Sequence, residues 1–314
     1  MNEAATGNLP RLLVLLGPTA SGKSALAIHL AQIFGGEVVA CDSTQVYRHF
    51  DIGTGKVPQS EQQGIPHRML DLIEPSDVFT AGDYRRLAEP ILEDIRERGK
   101  LPVVTAGTGL YLRALLEGLA EAPVRCEAVR DRLRSSAKVH GPKHLHQMLG
   151  RLDPEAASRI ASADTQKVIR AIEIRLLTKQ PVAAVHSSGR PPLQGFRVIK
   201  IGLRPQRQQL YTEIDRRVTQ MFATGWVEEV RGLLAGGVSL EAKPFSFIGY
   251  RQIAKHLCGR PSLDEAITQI QQATRNFAKR QLTWFGRERD VNWIEAFGHE
   301  DRAAQLAASL LQAS

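Results

Sequence analysis

One stretch of the chain has residue types and spacing that could bind phosphate. Gly17 and Gly22 bracket it, Lys23 and Ser24 end it, and it follows the apolar run 12–16. This order fits the pattern G-x-x-x-x-G-K-[ST] between a strand and a helix. Because glycines allow positive φ angles, consecutive backbone N–H groups can point inward at an anion, and the next helix adds its N-terminal partial positive charge. The pattern predicts a site for two or more phosphates.

The predicted phosphate loop comprises Gly17, Pro18, Thr19, Ala20, Ser21, Gly22, Lys23 and Ser24. Lys23 would reach the outer phosphate, and the Ser24 hydroxyl would hold a magnesium ion. The alternative is a chance match in an ordinary strand-to-helix loop, which the correct flanking patterns disfavour. Nucleotides and other pyrophosphates satisfy the same amides, so the loop alone does not identify its ligand.

The elements that must position this loop are read from hydrophobic patterning. Short apolar runs predict buried strands at 12–16, 37–41, 68–73, 101–105 and 196–203. Helical spacing separates most of them, as in 25–34 and 84–98. This alternation predicts an α/β fold, with a P-loop parallel sheet as the core and helices covering it. Ligands of such sheets bind outside the carboxyl ends of the strands, so the residues after each strand are the candidates.

Asp42 follows the second predicted strand. If this strand neighbours the first, the carboxylate lies beside the phosphate loop, where it could accept a proton or orient magnesium through water. Asp-Ser is equally a common start signal for a helix, so an N-cap is an open alternative. We interpret Cys41 as a small buried hydrophobe rather than a nucleophile.

The fourth predicted strand is followed by Gly107-Thr108-Gly109. The glycines would let a ligand approach the backbone, although they also suit an ordinary strand-to-helix turn. The strand itself ends without the acidic residue that usually holds magnesium in a phosphate-loop ATPase. Asp71 is the other candidate from a strand, and a surface or capping role is equally open for it.

Residues 121–195 have no convincing strand and predict an inserted all-helical domain, with 1–120 and 196–314 forming the core. Its predicted helices are 126–138, 142–151, 154–161 and 165–179, followed by a loop at 187–194. Seven Lys or Arg against two acidic residues lie between 125 and 151. His140, His144 and His146 could suggest a metal, but no Cys or acidic ligands accompany them, which favours a solvated basic face.

The C-terminal third predicts amphipathic helices and no further strand. Residues 275–285 interleave cations with aromatic rings, a pattern that suits phosphate contacts beside stacked bases. On a helix, Phe277, Gln281 and Trp284 would share one face. Core packing of Trp284 and Phe285 is an equally open alternative.

Composition limits the class of protein. The chain has 314 residues, 43% hydrophobic and 24% charged, which is typical of a globular protein with a sizeable core. The formal net charge of +8 modestly favours a polyanionic partner. Three widely spaced cysteines disfavour a disulfide framework or a zinc cluster. Without an apolar leader or a membrane-spanning run, we expect a cytoplasmic protein with no membrane partner.

Taken together, these motifs resemble the tRNA dimethylallyltransferases, also called tRNA isopentenyltransferases, in order over nearly the whole chain. The matching segments are 17–24, 42–47, 51–54, Pro66-His67 with Asp71, 107–111, 164–173, Gly249-Tyr250, 278–281 and 283–285. Two positions depart from the family pattern. Ala106 stands where glycine is usual, and Glu213 stands where arginine is common, while Arg217 is in its expected place.

The resemblance implies transfer of a dimethylallyl group from dimethylallyl diphosphate to N6 of the adenosine 3′-adjacent to the anticodon of tRNA. It implies that Asp42, Thr19, Lys23 and Arg217 are catalytic, that Mg²⁺ is the cofactor and that the anticodon arm is bound by a monomer. The implied tRNA contacts are Asp42, Ser43, Thr44, Gln45, Thr108, Arg130, Gln166, Lys167, Val168, Ile169, Arg170, Phe247, Ile248, Gly249, Tyr250, Arg251, Gln252, Arg280, Gln281, Leu282, Thr283, Trp284, Phe285, Gly286 and Arg287.

Three other functions are compatible with parts of the sequence. A nucleotide or metabolite kinase would use the same loop and release ADP. A free-nucleotide prenyltransferase would share the donor site but would not need the basic insertion or the C-terminal cation–aromatic segment. A non-catalytic RNA-binding protein would leave the phosphate loop and Asp42 without a purpose.

Overall fold

The computed structural model describes residues 9–119, 122–187, 189 and 191–313. The N-terminal residues 1–8, the predicted domain boundary at 120 and 121, and part of the predicted 187–194 loop lie outside the described residues. The chain divides into two compact units. The larger comprises residues up to Leu115 and from Leu193 onwards, and the smaller is Leu116–Pro192.

The larger unit contains a parallel sheet. Its strands are β1 (Arg11–Leu16), β2 (Gly36–Cys41), β3 (His67–Arg68), β4 (Leu101–Ala106), β5 (Arg197–Leu203) and β6 (Val291–Ile294). Their order is β3-β2-β4-β1-β5-β6, and every neighbouring pair is parallel. The register places Leu13 opposite Val103 and Ile199. The predicted α/β class is confirmed, and β1 occupies an interior position of the sheet.

Helices account for most of the remaining described residues. They are α1 (Lys23–Phe34), α2 (Ala81–Glu97), α3 (Gly109–Glu117), α4 (Glu127–His140), α5 (Pro142–Leu152), α6 (Pro154–Arg159), α7 (Thr165–Thr178), α8 (Val182–Ser187), α9 (Arg207–Ala223), α10 (Trp226–Ala235), α11 (Tyr250–Leu257), α12 (Leu263–Phe285) and α13 (Asp301–Gln312). Within the described ranges, no helix is both long and apolar enough to cross a membrane.

Helices cover both faces of the sheet, so the residues of the central strands are apolar at consecutive positions of the sequence. On one face, Leu13 and Leu15 pack with Leu26 of α1 and Ala307 of α13. On the other face, α2 contacts β2 and β4. A separate cluster joins α9, α10 and α11 around Phe50, and it supports the segment that follows β2.

Two strand predictions were wrong. Of the run 68–73, only Arg68 belongs to a strand of the sheet, because Met69 and Asp71 adopt φ angles of +66° and +53°, which no strand accommodates. The C-terminal third does contain a strand, β6. This strand is four residues long, lies at the sheet edge and buries only Ile294, so its sequence lacks the apolar run of a central strand.

The smaller unit is helical over all its described residues that have regular structure. The four predicted helices correspond to α4, α5, α6 and α7, and α8 was not predicted. Its core includes Leu133, Leu145, Val168 and Ile172, contributed by three different helices. The unit therefore has a hydrophobic core of its own, as an independently packed insertion requires.

Candidate active site

The phosphate loop joins β1 directly to α1, as predicted. Gly17 and Gly22 have φ angles of +148° and +86°, a region that glycine enters freely. Lys23 begins α1, and its Nζ donates hydrogen bonds to the carbonyl oxygens of Gly17 (2.9 Å) and Pro18 (2.8 Å). The loop thus combines a helix N-terminus with an ammonium group held directly over the loop backbone.

The turn between β6 and α13 supports the loop from behind. The N–H of Gly298 donates to the carbonyl oxygen of Ser21 (2.8 Å). A Cβ at Gly22 would lie 2.7 Å from the backbone nitrogen of Gly298, and a Cβ at Gly298 would lie 2.3 Å from the oxygen of Gly22. Only glycine fits at either position. No sequence pattern had indicated residue 298.

Three charged groups act on one another at this loop. Burial lowers the pKa of Lys23 to about 8; the nearby Asp42 carboxylate opposes this change and the Arg217 guanidinium adds to it. Burial also lowers the pKa of Arg217, with Glu213 and Asp42 opposing. In the described part of the chain, no carboxylate lies within ion-pair distance of either cation. Asp42 is the carboxylate that acts on both cations, and Glu213 acts on Arg217 as well.

Asp42 reaches this group although β2 and β1 are not neighbours. Strand β4 lies between them, so the adjacency on which its placement was predicted was wrong. The carboxylate crosses the end of β4 because Gly107 has no side chain: a Cβ there would lie 2.1 Å from Asp42 Oδ2. Oδ1 accepts hydrogen bonds from the backbone N–H (2.8 Å) and the hydroxyl (2.7 Å) of Thr44. Asp42 therefore caps a turn and not a helix.

The turns after β2 and β4 are tied together. The N–H groups of Gly107 and Thr108 both donate to the carbonyl oxygen of Cys41. The Thr108 hydroxyl accepts from the N–H of Ser43 (3.0 Å) and donates to the Ser43 hydroxyl (3.2 Å). The Cys41 thiol is fully buried, and burial raises its pKa to about 12, as expected of a packing residue.

Gln281 links these turns to the phosphate loop. Its Oε1 accepts from the N–H of Thr19 (2.7 Å), and its Nε2 donates to the carbonyl oxygen of Gly107 (2.8 Å). Gln281 was predicted as a tRNA contact, but its side chain is 6% exposed and both ends of its amide are engaged. It joins the loop and the β4–α3 turn, and its burial leaves little of the side chain accessible to RNA.

The loop 51–55 holds Arg217. A Cβ at Gly55 would lie 2.1 Å from Nη2 of Arg217, so the guanidinium lies directly against the glycine backbone. Nε2 of Gln45 lies 3.2 Å from the carbonyl oxygens of both Thr54 and Gly55. Gly55 directly follows the family segment 51–54, and no sequence pattern had indicated its close approach to Arg217.

The predicted RNA contacts between residues 247 and 287 differ in how far their side chains are exposed to solvent. Their exposed members are Arg251, Arg280, Thr283, Trp284, Gly286 and Arg287. Gly249, Tyr250, Gln281 and Phe285 are buried, and Phe247, Ile248, Gln252 and Leu282 are partly buried. Buried side chains pack inside the protein and can meet RNA only after rearrangement.

Trp284 and Phe285 differ, which resolves the open question about their packing. Phe285 is fully buried. The Trp284 ring is 37% exposed, lies against Gly109 and has the Arg113 guanidinium 5.5 Å from its centroid. One ring therefore belongs to the core, and the other presents part of its face at the surface.

In the smaller unit, two predicted RNA contacts are ion-paired with one buried carboxylate. Arg130 is 6% exposed, and its Nε donates to Glu173 Oε1 (3.0 Å). Arg170 donates to Glu173 Oε2 (2.6 Å). Burial alone would raise the pKa of Glu173, but the hydrogen bonds from both arginines outweigh it and hold the pKa below its usual value. The Glu173 carboxylate is fully buried, and the two guanidinium groups compensate its charge.

The other predicted contacts of this unit lie on α7. Gln166 and Lys167 are exposed, and Lys167 pairs with Asp164 at 2.7 Å. Val168 and Ile169 are buried in the core of the unit. The Nε2–H of His146 points to two carbonyl oxygens, those of Ala157 (3.1 Å) and Ile160 (2.9 Å), which gives it a packing role.

Metal donors at the loop are oxygen atoms. Ser24 lies in the first turn of α1, next to Lys23, and its hydroxyl together with the Asp42 carboxylate is the hard-ligand chemistry that Mg²⁺ prefers. Across the described ranges, no group of three or more His, Cys, Asp or Glu could hold a metal by itself. These donors fit magnesium that is shared with phosphate oxygens and water.

Comparison with known proteins points to one family. A family model described as IPP transferase matches residues 45–288. A tRNA dimethylallyltransferase of Solibacter usitatus is 48% identical over 296 residues, covering 94% of this chain and 96% of that protein. Another, from Koribacter versatilis, is 46% identical over 305 residues, covering 97% of this chain and 99% of that protein.

Two solved structures are similar over nearly the whole chain. A tRNA isopentenylpyrophosphate transferase of Bacillus halodurans matches with a TM-score of 0.69 at 35% identity, covering 96% of this chain and 97% of that chain. A eukaryotic dimethylallyltransferase described as acting on tRNA has a TM-score of 0.80 at 25% identity, covering 97% and 80% respectively. The phosphate loop, the tied turns and these matches agree, and the chain belongs to the IPP transferase family.

Proposed function

We propose that this protein transfers the dimethylallyl group from dimethylallyl diphosphate to N6 of the adenosine immediately 3′ of the anticodon in certain tRNAs, releasing diphosphate. The observation that carries the proposal is the grouping of Lys23, Arg217 and Asp42 at a phosphate loop whose neighbouring strand β4 ends in Ala106. Two cations that have no carboxylate partner among the described residues suit a leaving diphosphate, and the relatives carry the matching names.

Leaving-group stabilisation is the larger part of the chemistry. N6 of adenine is a weak nucleophile because its lone pair is delocalised into the ring, so the carbon–oxygen bond must weaken as attack occurs. Negative charge then develops on the diphosphate, where the loop amides, Lys23 and Arg217 would stabilise it. The Thr19 N–H is already engaged by Gln281, so Thr19 would contribute through its hydroxyl. Magnesium held at Ser24 would supply further charge neutralisation.

Asp42 would accept the proton that N6 loses. Thr44 occupies Oδ1 with two hydrogen bonds, which orients the carboxylate. None of the described residues donates to Oδ2, so this oxygen would take the proton. The position of Oδ2 over Gly107 places it at the end of β4, on the carboxyl side of the sheet where ligands of such folds bind.

Binding of the anticodon arm would use the exposed cations. Arg251, Arg280 and Arg287 in the larger unit and Lys167 in the smaller unit are exposed and can meet phosphates. The partly exposed Trp284 ring could stack on a base. Such contacts would offset the few kcal/mol needed to extrude the adenosine from its stack. We place 121–195 as the inserted tRNA-contacting domain of a monomer acting in the cytoplasm.

The decisive experiment offers the protein two acceptors. Radiolabelled dimethylallyl diphosphate and magnesium are incubated with either unmodified tRNA or AMP, and the labelled product is identified. We expect label on tRNA only, at the adenosine next to the anticodon. Label on AMP alone would indicate a free-nucleotide prenyltransferase, whereas no label together with ADP release from ATP would indicate a kinase.

A further inference from the structure

A hydrogen-bonded pair on two helices holds the loop 51–55 in place. Glu229 of α10 accepts at Oε2 from the backbone N–H groups of Asp51 (3.0 Å) and Ile52 (2.8 Å). Its Oε1 accepts from the Tyr250 hydroxyl (2.7 Å), and that hydroxyl accepts from the N–H of Gly53 (3.1 Å). Three consecutive amides of the loop are therefore bound by one carboxylate and one phenol.

The same loop is packed against the rigid indole ring of Trp226. A Cβ at Gly53 would lie 2.3 Å from the indole ring of Trp226, which is 2% exposed. A Cβ at Gly249 would lie 2.0 Å from Cη2 of the same indole. Tyr250 is fully buried, and its pKa is raised by burial and by the neighbouring Glu229 carboxylate, so it stays a neutral donor. The loop backbone thus has one defined position.

This position determines where the Arg217 guanidinium can lie. Gly55, two residues after the last bound amide, is the surface against which Nη2 of Arg217 rests. Arg217 has no carboxylate partner among the described residues, so the loop backbone is its support on that side. A long side chain that is already ordered loses less conformational entropy when it meets an anion.

We propose that Glu229 and Tyr250 are positioning residues for the donor site: they fix the loop 51–55, and the loop fixes Arg217 for contact with a diphosphate. This inference rests on the proposed function, because it takes the anion at Arg217 to be the diphosphate of the prenyl donor. It assigns Tyr250 to donor binding instead of the RNA contact implied by the family resemblance.

The test measures binding of inorganic pyrophosphate by calorimetry, and KM for donor and tRNA separately. Tyr250→Phe keeps the ring but leaves Gly53 N–H and Glu229 Oε1 without a partner. We expect pyrophosphate affinity to fall about fivefold to tenfold and donor KM to rise by a similar factor, with tRNA KM unchanged. A changed tRNA KM with unchanged pyrophosphate affinity would overturn the inference.

A double-mutant cycle separates positioning from general loosening. In an Arg217→Ala background, Tyr250→Phe should change pyrophosphate affinity less than about twofold, because its effect acts through Arg217. The same loss in both backgrounds would indicate a merely structural role. Glu229→Gln, which can still accept from Asp51 and Ile52 and donate to the Tyr250 oxygen, should retain more affinity than Glu229→Ala.

A matched control deletes another buried hydroxyl. Tyr111→Phe removes a hydrogen bond from Tyr111 to the Phe79 carbonyl oxygen (3.3 Å), which does not involve the loop 51–55. Its pyrophosphate affinity should match the wild type. If the wild type fails to label tRNA but Tyr250→Phe still weakens pyrophosphate binding, the proposed function fails and the positioning role stands. If the wild type binds no pyrophosphate, the positioning role fails.

Discussion

Oδ2 of Asp42 occupies the space that a side chain at position 107 would fill. The two residues directly follow the neighbouring strands β2 and β4, and the absent side chain of Gly107 allows the carboxylate to reach across the end of β4. This relationship connects the predicted base with the phosphate loop, which lies on the far side of that strand.

Replacing Asp42 tests its role as proton acceptor. Asp42→Ala should lower turnover at least about tenfold, and closer to a hundredfold, because it removes the carboxylate that we propose takes the N6 proton. tRNA affinity should be largely kept. Single-turnover transfer and filter binding measure the two quantities, and near-normal turnover would remove Asp42 from the base role.

Gly107→Ala should reproduce part of this defect without replacing a charged residue. The new Cβ would collide with Oδ2 at 2.1 Å, so the carboxylate must move, and we expect turnover to fall about tenfold or more with little change in donor affinity. Gly232→Ala is the control. Gly232 lies within α10 with no atom within 4 Å of a new Cβ, so that variant should gain roughly 0.5–1 kcal/mol of stability at unchanged turnover.

The pH profile should report Lys23. Its pKa is lowered to about 8, so the ammonium that meets the diphosphate is charged below this value and is lost as pH rises through it. We therefore expect kcat/KM for the donor to fall above about pH 8. Lys23→Arg keeps its charge over this range and should remove the inflection. An identical inflection in that variant would assign it to another group.

Neutralising Arg280 or Arg287 should weaken tRNA binding and reduce the slope of log affinity against log salt concentration by about 1 for each cation. Both side chains are exposed near the Trp284 face. Arg302→Ala, on α13, removes an equally exposed cation and serves as the comparison. Binding that is unchanged across a salt titration would place Arg280 and Arg287 off the RNA interface.

Arg130→Ala should destabilise the smaller unit by about 1.5–3 kcal/mol, because it removes a charged hydrogen bond from the buried Glu173 carboxylate. Denaturant unfolding measures the loss. Arg132→Ala, an exposed change on the same helix, should lose no more than about 0.5 kcal/mol. Equal stability of the two variants, with weaker tRNA binding by Arg130→Ala, would instead favour the RNA contact implied by resemblance.

Much of the larger unit could be predicted because its central strands are buried on both faces. Strands β1, β2, β4 and β5 leave an apolar run in the sequence, and the phosphate loop leaves a fixed pattern after β1. The edge strand β6 has neither an apolar run nor a fixed sequence pattern beside it. The positive φ angles at Met69 and Asp71 come from loop geometry that their residue types do not disclose.

Site residues that directly follow a strand could be predicted from the sequence. Roles that depend on a partner far away in the chain could not. Asp42 and Lys23 could be named from position alone. The burial of Arg130 depends on Glu173, which lies 43 residues away, and the linking role of Gln281 depends on Thr19, 262 residues away. Neither pairing has a local signal, so these cationic and amide side chains resemble surface contacts when only the sequence is read.

The contact between Gly298 and Ser21 has a consequence for how the protein is made. The anion-binding turn follows the first strand of the sheet, yet the glycine that supports it from behind follows the last strand, β6. During synthesis, which proceeds from the amino terminus, this support cannot form until residue 298 has left the ribosome. The supported form of the anion-binding turn is thereby deferred until all six strands of the sheet have been synthesised.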